Sequence, residues 1–165
     1  MTPEQAKFLL DYSCPTLVSE SKITQKVITA MPAGQEAYKP SDKCMTASEL
    51  AYHLASADVW FLNSIASGAF VAGGDTGDKP STPEQIIAWY EANFAPALDK
   101  VKAMTPDQLA ANISFFGMMD APAVSYLNFM LLHSAHHRGQ LSSYLRPMGG
   151  KVPAIYGGSA DEPMK

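Results

Sequence analysis

The chain has 165 residues, 47% of them apolar and 17% charged, with a formal net charge of −4. That composition sets disorder aside and lets a single domain over residues 1–165 bury roughly two-thirds of its unfolded surface. The acidic balance and the lack of a Lys/Arg cluster argue against a nucleic-acid partner, and no apolar run reaches the roughly 18 residues that span a bilayer.

The start Met1-Thr2-Pro3-Glu4-Gln5 has neither the basic stretch nor the apolar core of a secretory leader, so the expected compartment is the cytoplasm. In a reducing compartment Cys14 and Cys44 stay unpaired, and both read as small buried apolar side chains.

Thr2-Pro3-Glu4-Gln5 is also the first of three similar helix starts, with Thr82-Pro83-Glu84-Gln85 and Thr105-Pro106-Asp107-Gln108. Thr caps the free N–H groups, Pro lacks one that would go unpaired, and Gln completes a capping box. The first helix is predicted over residues 3–30, with a break or kink at Pro15. A second follows the capping box Thr46-Ala47-Ser48-Glu49, over residues 47–67, burying Leu50, His53, Leu54, Ala57, Trp60, Phe61 and Ile65. Residues 73–80, dense in Gly, Asp and Pro, form a loop able to cover a site. A third helix runs over residues 83–104 through Pro96, and residues 106–110 form a short turn. Residues 113–119 read as an apolar connection, since no partner strand is evident. The last long helix is predicted over residues 122–146, ending at Pro147 and Gly149-Gly150, and residues 151–165 cross the surface as an irregular tail. These elements predict an all-α four-helix bundle.

Three of the four histidines fall in His133-Ser134-Ala135-His136-His137-Arg138-Gly139-Gln140. On a helix, His133 and His137 point within about 40° of each other, one turn apart, and can grip one ion, whereas His136 lies to the flank. Gln140 and Tyr144 share their face and are candidates to support the ligands or touch a substrate, as is Ser134. Arg138 and Arg146 could meet an acidic ligand, although a surface or dimer ion pair is the plainer reading. His53 faces the core, where an unpartnered imidazole is costly. Asp58 points well away from His53 and is given no role.

The block Glu49-Leu50-Ala51-Tyr52-His53-Leu54-Ala55, the stretch from His133 to Gln140, and Tyr144-Leu145-Arg146-Pro147-Met148-Gly149-Gly150 followed by Val152-Pro153 give the sequence its kinship. Together with the turn before Phe115-Phe116-Gly117, they make it resemble the DinB/YfiT-like family of bacterial helical metalloproteins over about residues 15–158. The resemblance implies a four-helix bundle with a long crossover connection, commonly a homodimer, and a divalent transition metal on His53, His133 and His137. Zinc or nickel comes first, with iron, manganese or copper as alternatives.

Two functions follow from that site. One is a metal-dependent enzyme acting on a small molecule, either a hydrolase or a transferase using a low-molecular-weight thiol. The other is a non-catalytic stress-related protein whose metal is structural, which a fourth protein ligand would favour; the sequence supplies no obvious one.

Overall fold

The computed structural model describes residues 1–72 and 79–164; the expected loop at residues 73–80 falls largely outside them. The fold is mostly helical: α1 (Pro3–Thr29), α2 (Ala47–Ser67), α3 (Pro83–Lys102), α4 (Pro106–Ala110), the strands β1 (Asn112–Phe115) and β2 (Met119–Pro122), a 3₁₀ turn (Ala123–Ser125) and α5 (Tyr126–Leu145). Thr2, Thr46, Thr82 and Thr105 each close a complete capping box with Gln5, Glu49, Gln85 and Gln108, devices each worth about 1 kcal/mol. α5 begins instead from the 3₁₀ turn, with no side-chain cap.

α1 runs through Pro15 as one helix where a break or kink is expected, and α3 runs through Pro96. Both prolines are exposed, as are Asp11 and Ala92, whose carbonyls lose their partners. Water can satisfy those carbonyls, so the loss of one ladder bond is survivable.

α2 packs against α3 and α5, and α1 against α5 and α3, which sets α1 and α2 across the bundle from each other. The connection from α1 to α2 is therefore a crossover. The core gathers Leu10, Leu17 and Ile28 of α1, Leu50, Leu54 and Leu62 of α2, Ile86, Tyr90 and Leu98 of α3, and Tyr126 and Leu141 of α5, all nearly solvent-free.

Residues 113–119 are not a plain connection. They belong to an antiparallel hairpin in which Ile113 faces Ala121 and Phe115 faces Met119. Phe116 and Gly117 turn it with φ of 53° and 72°, and the Tyr126 hydroxyl lies 2.9 Å from the carbonyls of both Ile113 and Met119. The partner strand, Met-Asp-Ala-Pro, has no β-branched residue, so its sequence carries little strand signal.

Beyond α5 the tail lacks regular structure, as expected, yet it is fastened. Lys26 meets Glu162 at 2.6 Å, Arg146 meets Asp161 at 3.1 Å, and the Val152 N–H donates to Asp161 at 2.9 Å. Gly150 lets the chain close on the end of α1, because a Cβ there would fall 2.9 Å from the Ala30 carbonyl oxygen.

Candidate metal centre

His53 projects from α2 towards α5, on a helix whose Leu50, Leu54 and Phe61 are buried. His133 and His137 stand one turn apart on α5. The contact between α2 and α5 brings the three together, with ring centroids 4.4–5.1 Å apart. One ligand nitrogen from each lies within 4.8 Å of the other two.

This group could hold a metal ion, and its details fit one. The Nε2 atoms of His53 and His137 are 3.2 Å apart, close to the separation of about 3.3 Å for two nitrogens bound tetrahedrally at 2.0–2.1 Å. His133 Nδ1 is buried without a hydrogen-bond partner, a cost an imidazole with a second use can bear. Burial, and then the neighbouring imidazole of His137, lower the pKa of His53; the same causes, with His53 and His136 added, push His133 down to about 4. Both are therefore neutral near pH 7, as ligation requires.

The residues around the trio divide sharply. Gln140 Oε1 sits 3.0 Å from His137 Nδ1. A proton held there leaves the Nε2 lone pair facing His53. Phe61 packs its ring 5.7 Å from that of His133. His136 is exposed and outside the ligand group, its ring 4.8 Å from that of His137.

Ser134 is buried and donates to the Asp58 carboxylate, which also accepts from the Tyr90 hydroxyl at 2.6 Å. Asp58, given no role from the sequence, thus joins α2, α3 and α5 beside His133. Its own burial raises the carboxyl to about 6 despite the two donors. No signal along the chain marks this, because its partners come from other helices.

Arg138 corrects the surface or ligand reading. It is fully buried and turned to α1, where it pairs with the Glu20 carboxylate, donates to the Glu20 carbonyl at 3.0 Å and to Thr24 at 3.2 Å, and touches the Tyr156 hydroxyl. Arg146 makes the ion pair to the tail already described. Tyr144 is also buried, edge-on to Tyr38 and 3.4 Å from the Met45 carbonyl. Neither Arg138 nor Tyr144 lines the cleft that adjoins the trio.

That cleft, of about 780 Å³, has His53 in its wall, with Cys44, Tyr52, Trp60, Lys79 and Trp89 among the other lining residues. Cys44 is half-buried there, its sulfur 3.3 Å from the Ser41 hydroxyl, and Cys14 is half-buried too, so the expected burial of both is only partial, although each packs against the core. Trp60, expected among the buried residues of α2, is half-buried in this wall. The stripe Tyr52, Ser56, Trp60 on α2, with a hydroxyl between its two rings, was the available signal.

Residues 11–164 match the model of the DinB family. Among curated proteins, the chain is 26% identical to the uncharacterized protein YrdA of Bacillus subtilis (strain 168) over 93% of its own length and 91% of that protein's. It is 25% identical to the uncharacterized protein YjoA of the same organism over 80% and 86%. Among solved structures, it superposes on a DinB-like protein of Bacillus cereus ATCC 10987 with a TM-score of 0.70 at 23% identity, covering 87% and 95% of the two chains. For the DinB-like YjoA of B. subtilis the TM-score is 0.66 at 21% identity, covering 82% and 90%.

Proposed function

The chain belongs to the DinB family, and on that footing we propose that it is a metal-dependent enzyme acting on a small molecule, with His53, His133 and His137 as ligands of a divalent transition ion. Zinc and nickel are the first choices, although imidazole suits iron and copper as well. The observation that carries this reading is that His53 belongs both to the ligand group and to the cleft wall. Among the described residues no Cys, Asp or Glu completes the group, which supports an open site over a closed structural one.

When bound, such an ion supplies Lewis-acid chemistry that favours the anion of water or of a small thiol near neutral pH. The chain's own residues set the conditions. Gln140 fixes the proton on His137 Nδ1, Phe61 shields His133, and the Asp58–Ser134 bond anchors the turn of α5 that carries His133. Asp58 itself is enclosed by its partners, so it serves the scaffold and not the substrate.

The test joins metal content to turnover. Purified protein should retain close to one ion per chain, and the loaded form should hydrolyse a small ester or conjugate a low-molecular-weight thiol to an electrophile, both lost on chelation. Full metal content without either reaction across a panel of such substrates would favour a structural metal.

A homodimer in the cytoplasm, without nucleic-acid or membrane partners, completes the proposal. No helix among the described residues is long and apolar enough to cross a membrane. Phe8 and Tyr12 on α1 stack at 6.2 Å while 66% and 73% exposed, a patch that association would cover. Light scattering should give twice the 17.8 kDa chain mass; the monomer mass at micromolar concentration would remove the dimer.

A further inference from the structure

The cleft beside His53 is walled by rings and carries two lysines. Tyr52 and Trp60 stand about two turns apart on α2, and Trp89 comes from α3, edge-on to Tyr52 with ring centroids 5.3 Å apart. Rings so placed take the flat face of an apolar ligand. Trp60 is held ready, its indole N–H donating to the Val71 carbonyl at 3.2 Å and its ring stacked on Phe116 within 6° of parallel. Phe116 holds a left-handed backbone in the hairpin turn, a conformation costly for a bulky residue.

Lys43 and Lys79 also line the cleft. Neither has an ion-pair partner among the described residues, and the Lys79 ammonium lies 5.9 Å from the Tyr52 ring centre. Glu49 is the one carboxylate in the described wall. It is engaged at the N-terminus of α2, accepting from the Thr46 backbone N–H at 2.8 Å and the Thr46 hydroxyl at 3.0 Å. Among the described residues the wall therefore carries a net positive charge of about one beside apolar rings, which suits a single negative charge on a flat body.

We infer that the cleft takes a small organic monoanion with a planar apolar body, its flat part against Tyr52, Trp60 and Trp89 and its carboxylate towards Lys43 and Lys79. This names the substrate class for the site proposed above and rests on that reading for the reaction, though not for binding.

The chain's two tryptophans are Trp60 and Trp89, and both are in this wall, so intrinsic fluorescence reports occupancy of the cleft. Phenylacetate and its neutral counterpart phenylacetamide are titrated into metal-free and zinc-loaded protein. Phenylacetate should bind roughly fivefold more tightly than the amide in metal-free protein, the ratio two screened surface cations provide. The doubly substituted Lys43→Gln, Lys79→Gln protein should bring that ratio close to one, and Trp89→Leu should weaken both ligands alike.

Equal binding of acid and amide to metal-free protein, or a preference that survives loss of both lysines, overturns the inference. A preference seen only with zinc assigns the carboxylate to the ion, which overturns the inference and leaves the metal site standing. A preference in protein that takes up no zinc supports the inference while removing the metal-dependent reaction.

Discussion

An imidazole ligates only through an unprotonated nitrogen, so the value of His137 depends on where its proton sits. Gln140 Oε1, 3.0 Å from Nδ1, is an acceptor, so a hydrogen bond between the two requires the proton on Nδ1 and leaves Nε2 free. Gln140→Leu should therefore lower metal affinity about 10- to 100-fold without unfolding the chain, checked by competition with a chromophoric chelator; unchanged affinity would show that the amide merely packs. His53→Ala, His133→Ala and His137→Ala should each abolish stoichiometric metal, whereas His136→Ala, on the exposed flank, keeps most of it. Elemental analysis of the four proteins decides between these outcomes. At this scale the sequence was informative where one helix carried the geometry: His133, His137 and Gln140 share a face by spacing alone. It was silent on Asp58, whose meaning needs Tyr90 from α3 and Ser134 from α5.

Between elements, that Asp58 contact joins three helices and puts a titrating group in the interior. Its carboxyl ionises at about 6 when folded against an ordinary 3.8, so over that window the folded chain holds the proton and the unfolded chain does not. Stability then falls as pH rises from about 4 to about 6, by on the order of 3 kcal/mol for this group alone. His133, lowered to about 4 from 6.5, acts with the opposite sign, because the unfolded chain binds its proton over nearly the same range. In metal-free wild-type protein the two offset each other. Asp58→Asn removes one, and the variant's stability should climb with pH between about 4.5 and 6.5 more steeply than the wild type's. Urea denaturation across that range checks it; parallel profiles would mean that Asp58 does not exchange its proton on unfolding. The prolines teach a related lesson about elements. Pro15 and Pro96 look like breaks in sequence, yet each sits on a solvent face where water can reach the orphaned carbonyl, and which face that is depends on the packing of the bundle.

For the whole molecule, four capping boxes and the apolar periodicity made the bundle legible, since helix starts and buried faces are written locally. The hairpin was not, because Met119–Pro122 pairs through its backbone and is pinned by Tyr126 from another element. Nor was the cleft, which exists where α2, α3 and the chain before and after α2 leave space. The three-histidine group links these scales, because its members lie on two helices that must be packed before three nitrogens converge. An ion held by His53 on α2 and by two histidines on α5 binds the folded chain far better than the unfolded one, so binding energy becomes folding energy. With free zinc at about 100 times the dissociation constant, the gain is about 2.7 kcal/mol, which for a chain of this size raises the midpoint by roughly 5–10 °C. Protons compete for the same nitrogens, so the increment should shrink as pH falls through the range where imidazoles charge. Thermal melts at fixed protein concentration, with zinc or with chelator, at about pH 7.5 and about pH 5, measure both effects. His133→Ala should lose the zinc-dependent rise, and His136→Ala should keep it; a rise of equal size in all three proteins would place the ion somewhere other than between α2 and α5.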